Sequence, residues 1–351
     1  MRVLLITVRS DFGGGPRHVN QLIEHLSSDI ELFVAYPENG DPYAQMWKNN
    51  SRIAGSIFIP YRRLSVATLF KLRRFVQENS IDIIHSHGNG AGVYSRLMRL
   101  LGVKAKIIHT FHGVTDNYTS KLKKIFMKIS GKFFSLCTDK FVLVSKGEFA
   151  LAKKMGFLKE EKSIVIYNGI EPLGDRILSD RFNIVTLSRF DYQKNMDYAY
   201  EIAVALKDED IYFTWVGDGP DFERLKQRAE SEKLKVLFTG FSNTPVDYLK
   251  NASIYLSTSR FEGLPYALIE ASSVGLPIVA TNVVGNNETL EDGVSGFLFD
   301  SKESAIDKIL SLKKNRQMLE KMSAQAKMFF ERNFAQAKML DKIESLYKKH
   351  C

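Results

Sequence analysis

Short runs of consecutive apolar, β-branched residues recur along the chain, separated by longer stretches in which apolar positions return every three or four residues. The first group is RVLLITV, ELFVAY, SIFIP, DIIHSH, KIIHTF, KFVLVS and SIVIYN. After Gly169 the pattern starts afresh with NIVTLSR, IYFTWVG, VLFTG, SIYLSTS, LPIVATN and GFLFD. Runs without polar alternation predict strands buried on both faces, and their alternation with helical segments predicts parallel sheets. The expectation is an α/β chain of two doubly wound, Rossmann-like domains facing a central cleft. The break falls in YNGIEPLGDRILSD, where Asn168, Gly169, Pro172 and Gly174 cluster just before a new strand. The domains are therefore drawn as residues 1–170 and 171–330. In the remaining 331–351, Phe334, Leu340, Ile343 and Tyr347 stand at roughly helical spacing, which predicts a C-terminal helix packing back on the first domain.

Composition narrows the class. A chain of 351 residues can bury two cores, and 44% apolar with 25% charged residues reads as a globular protein. No apolar run approaches the roughly 18 residues of a spanning helix. RVLLITV is followed by RSDFGGG, which lacks a small-residue cleavage site, so it reads as a first buried strand and not as a signal peptide. Cys137 and Cys351 form neither a disulfide framework nor a metal spacing, which makes a reducing cytoplasm the expected location.

The net charge of +9 is uneven: residues 1–180 carry 26 Lys and Arg against 16 acids, residues 181–351 carry 23 against 24. No nucleic-acid motif with interleaved aromatics accompanies the basic half, so no nucleic-acid partner is expected, whereas an anionic membrane surface fits. In SKLKKIFMKISGKFFSL, Leu122, Ile125, Phe126, Ile129 and Phe133 share one helical face, and Lys124, Lys128 and Lys132 form a stripe. One reading is a surface helix whose apolar face meets the core. The other is a helix lying on anionic lipid, with five lysines in twelve residues and no acid among them.

In open parallel sheets ligands sit beyond the carboxyl ends of strands, so FGGGPRH, HSHGNG, TFHGV, SRFDYQKN, VGDGPD and SRFEGLP carry the most weight. In SRFEGLPYALIEASSVGLPIVAT, Pro265 suits a first helical position, which leaves the N–H groups of Tyr266 and Ala267 for an anion. Glu262 before that turn and Glu270 about two helical turns on read as acceptors for sugar and ribose hydroxyls. The alternative is a pair of solvated helix glutamates, but Glu270 lies in an apolar run where a carboxylate needs a partner. Arg189 and Lys194, just past a strand, offer cations to a diphosphate.

FGGGPRH fails the dinucleotide fingerprint, since His18 replaces the third glycine and no acid ends ELFVAY; its glycines still allow close backbone approach. Of the histidines, His112 is the candidate hydrogen-bond donor, with His85, His87 and His109 packed or supporting. No third well-spaced ligand completes a metal site. Asp208 and Asp210 form a D-x-D, but it precedes the strand IYFTWVG at the wrong edge of the sheet.

The order of the GGG loop, TFHG, VS after the strand KFVL, YNGI, SRFDYQKN, VGDGP, FTGF, the E-x7-E of EGLPYALIEA, and GVSGFLF resembles the retaining glycosyltransferases of family 4, with the two-domain GT-B fold. The likeness covers essentially the whole chain and is specific through order and spacing together. It implies transfer of a sugar from a nucleoside diphosphate donor, UDP-linked by family frequency, to an acceptor hydroxyl with retained configuration, without metal or cofactor. By matching positions Arg189 and Lys194 would bind diphosphate, Glu262 the donor sugar and Glu270 the ribose. Gly263, Leu264, Pro265 and Tyr266 would hold phosphate and sugar, Phe241 would border the base, and His112 would face the transferred sugar. Gly14, Gly15 and Gly217 are placed with the donor-binding positions. Many relatives carry an acid after the glycine loop where this chain has Pro16-Arg17, so Arg17 marks the acceptor side without an inherited role. The acceptor implied is a lipid-linked or growing bacterial surface glycan, met at the inner face of the membrane. A GT-B sugar-nucleotide epimerase would need acid/base carboxylates that no motif supplies. A non-catalytic binding module would be expected to have lost one of Arg189, Lys194, Glu262 or Glu270.

Overall fold

The structure, a computed structural model, describes residues 1–114, 121–177 and 179–350; the side chains of residues 121–124, 126 and 127 also lie outside that description. Residues 1–168 and 337–351 form one compact unit and residues 169–336 a second.

In the first unit the elements run β1 (Arg2–Thr7), α1 (Gly14–His25), β2 (Glu31–Tyr36), α2 (Tyr43–Lys48), β3 (Ile53–Phe58), α3 (Val66–Glu78), β4 (Ile83–His87), α4 (Gly88–Leu100), β5 (Lys106–Thr110), α5 (Lys121–Leu136), β6 (Lys140–Leu143), α6 (Lys146–Met155) and β7 (Ser163–Val165). The strands form one parallel sheet in the order β3-β2-β1-β4-β5-β6-β7. Strand order reverses between β1 and β4, so the loops after these strands diverge and leave room for a ligand.

The second unit runs β8 (Asn183–Leu187), α7 (Met196–Ala205), β9 (Tyr212–Val216), α8 (Phe222–Ser231), β10 (Val236–Gly240), α9 (Pro245–Lys250), β11 (Ile254–Ser257), α10 (Tyr266–Ser273), β12 (Ile278–Thr281), β13 (Gly296–Phe299), α11 (Lys302–Lys314) and α12 (Arg316–Asn333). Its parallel sheet has the order β10-β9-β8-β11-β12-β13 and reverses between β8 and β11. Each sheet is packed on both faces. Val3, Leu5 and Val34 look toward Val19 and Leu22 of α1, while Leu4, Ile6 and Phe33 look toward Leu72 of α3 and Tyr94 of α4. This two-sided burial is why the strands read as unbroken apolar runs.

Helix starts follow from local chemistry. Ser65, Ser145, Ser301 and Asn315 accept the backbone N–H three residues on, at 3.2, 3.0, 3.2 and 2.9 Å, and cap α3, α6, α11 and α12. The last helix, α13 (Gln336–Lys348), packs Met339, Ile343, Leu346 and Tyr347 into the first unit's core. Tyr347 Oη sits 2.6 Å from His85 Nδ1, and Glu344 Oε1 accepts the Ser27 N–H at 2.8 Å.

Candidate active site

In the second unit, the loops leaving β8 and β11 meet at the switch point. Glu262 is buried and its carboxylate gathers Lys194 Nζ at 2.6 Å, Ser259 Oγ at 2.7 Å and Gln193 Nε2 at 3.1 Å. Gln193 also donates to the Phe261 carbonyl at 3.1 Å, and the Arg260 N–H to the Gln193 carbonyl at 2.8 Å, so the two loops are laced together. Arg189 is half-exposed and pairs with Asp191 at 2.9 Å. Asp191 Oδ1 in turn accepts the Lys194 N–H at 3.1 Å, which fixes the turn before α7. Arg189, Lys194 and Glu262 are thus brought into one network, in which Asp191, Gln193 and Ser259 take part as well. Of those three, Asp191 acts on Arg189 and Lys194 and Ser259 on Glu262 within their own loops. Gln193 takes its role only when two strand-end loops 68 residues apart are juxtaposed, and an amide carries no periodicity.

Gly263, Leu264, Pro265 and Tyr266 are buried beside Glu262. Pro265 has φ −75° and ψ 123°, an extended conformation, so it is the cap preceding α10 and Tyr266 is the first helical residue. This corrects the expected first helical position by one: without a capping side chain, the helix begins where the dihedrals first turn helical. Glu270 is buried on α10. Burial raises the phenol of Tyr255 on β11, the charges of Glu270 and Glu262 add to that, and its Oη donates to the Leu187 carbonyl at 2.9 Å.

Gly285, φ +88°, stacks on this turn, since a Cβ there would stand 2.7 Å from the Gly263 carbonyl and 2.8 Å from Glu262 Cβ. Gly217 has φ +133°, and a Cβ there would lie 1.9 Å from the Ser188 carbonyl. The close approach this glycine allows is to the loop after β8. Phe241, exposed, follows β10. Asp208 and Asp210 are exposed in the turn before β9, at the opposite end of the sheet from these loops.

In the first unit, Gly13 caps α1, and Gly14, Gly15 and Arg17 form its first turn after β1. A Cβ on Gly15 would lie 3.7 Å from His112 Cδ2. His112, just past β5, stands 3.3 Å through Nε2 from His87 Nδ1 and with its ring centroid 5.0 Å from that of His18. His18 Nδ1 contacts Asn168 Oδ1 at 3.2 Å. His85 is tied to Tyr347 and, at 2.7 Å, to Thr110; His109 Nδ1 sits 3.0 Å from Ser86 Oγ. Burial holds His85, His87, His109 and His112 well below the ordinary imidazole value, with mutual repulsion adding to it. Burial likewise lowers His18 to about 4. Neutral imidazoles can pass hydrogen bonds along the strand ends without adding charge. Among the described residues no group of three or more His, Cys, Asp or Glu is placed to hold a metal ion.

Of the basic segment, α5 exposes Ile125, Ile129, Phe133 and Leu136 along one side, and Lys128 and Lys132 are exposed as well. The apolar stripe of this helix therefore faces solvent at those positions and not the core. Lys124, Leu122 and Phe126 lie outside the described side chains. No helix is long and apolar enough to cross a membrane among the described residues.

A family model described as Glycosyltransferase Family 4 matches residues 12–172, and one described as Glycosyl transferases group 1 matches residues 175–329. The UDP-Gal:alpha-D-GlcNAc-diphosphoundecaprenol alpha-1,3-galactosyltransferase of Escherichia coli is 28% identical over 80% of this chain and 78% of its own. The capsular polysaccharide biosynthesis glycosyltransferase CapH of Staphylococcus aureus is 28% identical over 70% of this chain and 74% of its own. Among solved structures, Anabaena Alr3699/HepE in complex with UDP and glucose superposes with a TM-score of 0.85 at 15% identity, over 99% of this chain and 100% of that one. The two matched domains follow one another over nearly the whole sequence, on the fold described above, and the chain belongs to the GT-B glycosyltransferases of the family 4 type.

Proposed function

We propose that the protein transfers a sugar from a UDP-linked donor to an acceptor hydroxyl on a lipid-linked or growing surface glycan, with retention of configuration and without metal. The observation that carries this reading is the network at the switch point of the second unit, where Lys194, Gln193 and Ser259 converge on the buried Glu262. A carboxylate so held is a fixed acceptor for a sugar hydroxyl. Arg189 and Lys194 supply positive charge for the departing diphosphate, joined by the N–H groups at the start of α10. Glu270 receives the ribose, Gly263 to Tyr266 line the phosphate and sugar, and Phe241 borders the base. Gly14, Gly15 and His112 are the first unit's groups assigned to the donor, and Arg17 its group for the acceptor. In the reaction the bond from the anomeric carbon to the phosphate oxygen breaks as the bond to the acceptor oxygen forms on the same face. The acceptor proton passes to the leaving phosphate, and no side-chain nucleophile takes part. The E. coli relative's name, with its diphosphoundecaprenol acceptor and UDP-Gal donor, supports the choice of classes.

The acceptor class brings in the membrane. On α5, exposed Ile125, Ile129, Phe133 and Leu136 beside Lys128 and Lys132 suit the headgroup region of an anionic bilayer. Residues 42–77 contain seven Lys and Arg and no acid, which adds to the same attraction. The enzyme is thus a cytoplasmic protein that docks peripherally on the inner face.

A panel of nucleotide sugars tests the donor by thermal shift. Arg189→Ala and Glu262→Gln should each lower turnover at least about 10²-fold, the loss of one charged transition-state contact, whereas Glu270→Ala should chiefly raise the donor KM. Near-normal kcat in the first two variants would sink the site assignment. Co-sedimentation with liposomes tests docking: binding should need anionic lipid, weaken with salt, and fall when Lys124, Lys128 and Lys132 become Glu.

A further inference from the structure

Glu148 is fully buried, and nothing in the proposed chemistry uses it. It is the fourth residue of Ser145-Lys146-Gly147-Glu148 at the start of α6, where Ser145 Oγ accepts the Glu148 N–H at 3.0 Å. In such a capping sequence the glutamate ordinarily turns back to the N–H of the capping serine. Here it reaches elsewhere. Oε2 accepts the Val144 N–H at 2.9 Å, while Oε1 crosses to the turn after β5 and accepts the N–H groups of Gly113 at 2.6 Å and Val114 at 3.0 Å. These two donors lie in a turn where Gly113 has φ +122°, so the chain has left the strand and the sheet offers them no partner.

Phe111 and His112 lie between the strand and that turn, His112 directly before it. On its amino-terminal side, the Phe111 N–H donates to the Val142 carbonyl at 3.0 Å and holds the chain to β6. On its carboxyl-terminal side, the carboxylate holds it. We propose that Glu148 is a positioning residue for His112, its carboxylate fixing the turn after β5 and through it the place of the imidazole. The inference rests on the reading that His112 contacts the donor sugar. A side chain clamped on both flanks keeps its geometry before substrate arrives, which is what a transition-state contact requires. Glutamine cannot replace the acid, because its amide nitrogen would put a donor against one of three donors.

A double-mutant cycle separates positioning from a merely structural role. Release of UDP is measured from UDP-galactose, UDP-glucose and UDP-N-acetylglucosamine, and the most rapidly cleaved is used for the parent, Glu148→Gln, His112→Ala and the double variant. Glu148→Gln should lower kcat/KM about tenfold or more in the parent and less than about twofold in the His112→Ala background. Equal losses in both backgrounds, or no loss in the parent, would overturn the inference. If His112→Ala itself leaves activity intact, the donor-site reading fails and this one with it; loss in His112→Ala with additive Glu148→Gln removes only this one. Should Glu148→Gln fail to fold, Gly113→Ala takes its place. Among the described residues its Cβ would meet no atom within 4 Å, and at φ +122° the substitution strains the backbone of the turn. It should show the same dependence on His112, and independence would overturn the inference.

Discussion

Lys194 and Glu262 hold each other at 2.6 Å with side-chain exposures of 19% and 7%, so altering one strands the other charge away from water. Removing one member of a buried pair costs about 3–5 kcal/mol, whereas replacing both by apolar groups is often neutral. Lys194→Met should therefore destabilise the second unit by an amount in that range, and Lys194→Met with Glu262→Leu should recover much of it while staying inactive. Urea unfolding followed beside an activity assay checks both, and full stability in the single variant would show the pair to be solvated. Gly217→Ala should cost about 2–4 kcal/mol, because a left-handed φ and a Cβ placed against the Ser188 carbonyl strain it twice. An unchanged melting temperature would contradict that. At this scale the sequence singles out charges at strand ends, and Arg189, Lys194 and Glu262 do fall in one network. It is silent where a neutral or buried group acts through a distant loop. Gln193 and Glu148 sit inside or beside motifs that attract attention for other residues, and only tertiary contact reveals their partners.

The elements were the most legible level, and for a physical reason. A strand covered on both faces leaves no room for polar alternation, so GFLF at β13 and IVAT at β12 announce themselves despite spanning four residues each. Helices with one buried stripe are equally plain, but their direction is not: α5 has its apolar positions at helical spacing, yet Ile125, Ile129, Phe133 and Leu136 are exposed. Periodicity states that a stripe exists and not what covers it. The exposure makes a measurable difference. Ile129→Ser and Phe133→Ser should each change stability by less than about 0.5 kcal/mol, the range of surface substitutions. If these side chains were in the core, each would cost several-fold more, and chemical denaturation in the absence of lipid distinguishes the cases.

At the scale of the whole molecule, the chain passes between the two units at residues 168–169 and again at 336–337, so the first unit is closed by its own C-terminal helix. Met339, Ile343, Leu346 and Tyr347 complete a core built from Val3, Leu5, Val19 and Leu22. A chain ending at Gln336 should therefore lose cooperative folding of the first unit while residues 169–336, with their own core, melt as a unit; calorimetry of the truncated and full chains reads this directly. The first unit also carries a pH dependence that no single motif announces, because it comes from five imidazoles packed together. His18, His85, His87, His109 and His112 are all depressed by burial, His18 to about 4, against about 6.5 in an unfolded chain. Below pH 6.5 the unfolded state binds protons that the folded state refuses, so stability is full above that pH and falls as the pH drops toward the folded values. Each ring contributes up to about 1.4 kcal/mol per pH unit, and His18 alone about 3 kcal/mol once pH 4 is reached. The first unit's unfolding midpoint in urea should therefore drop steeply between pH 6.5 and 5, with more than one proton taken up on unfolding. A midpoint that stays level across that window would mean that the rings are hydrated or already charged in the folded protein.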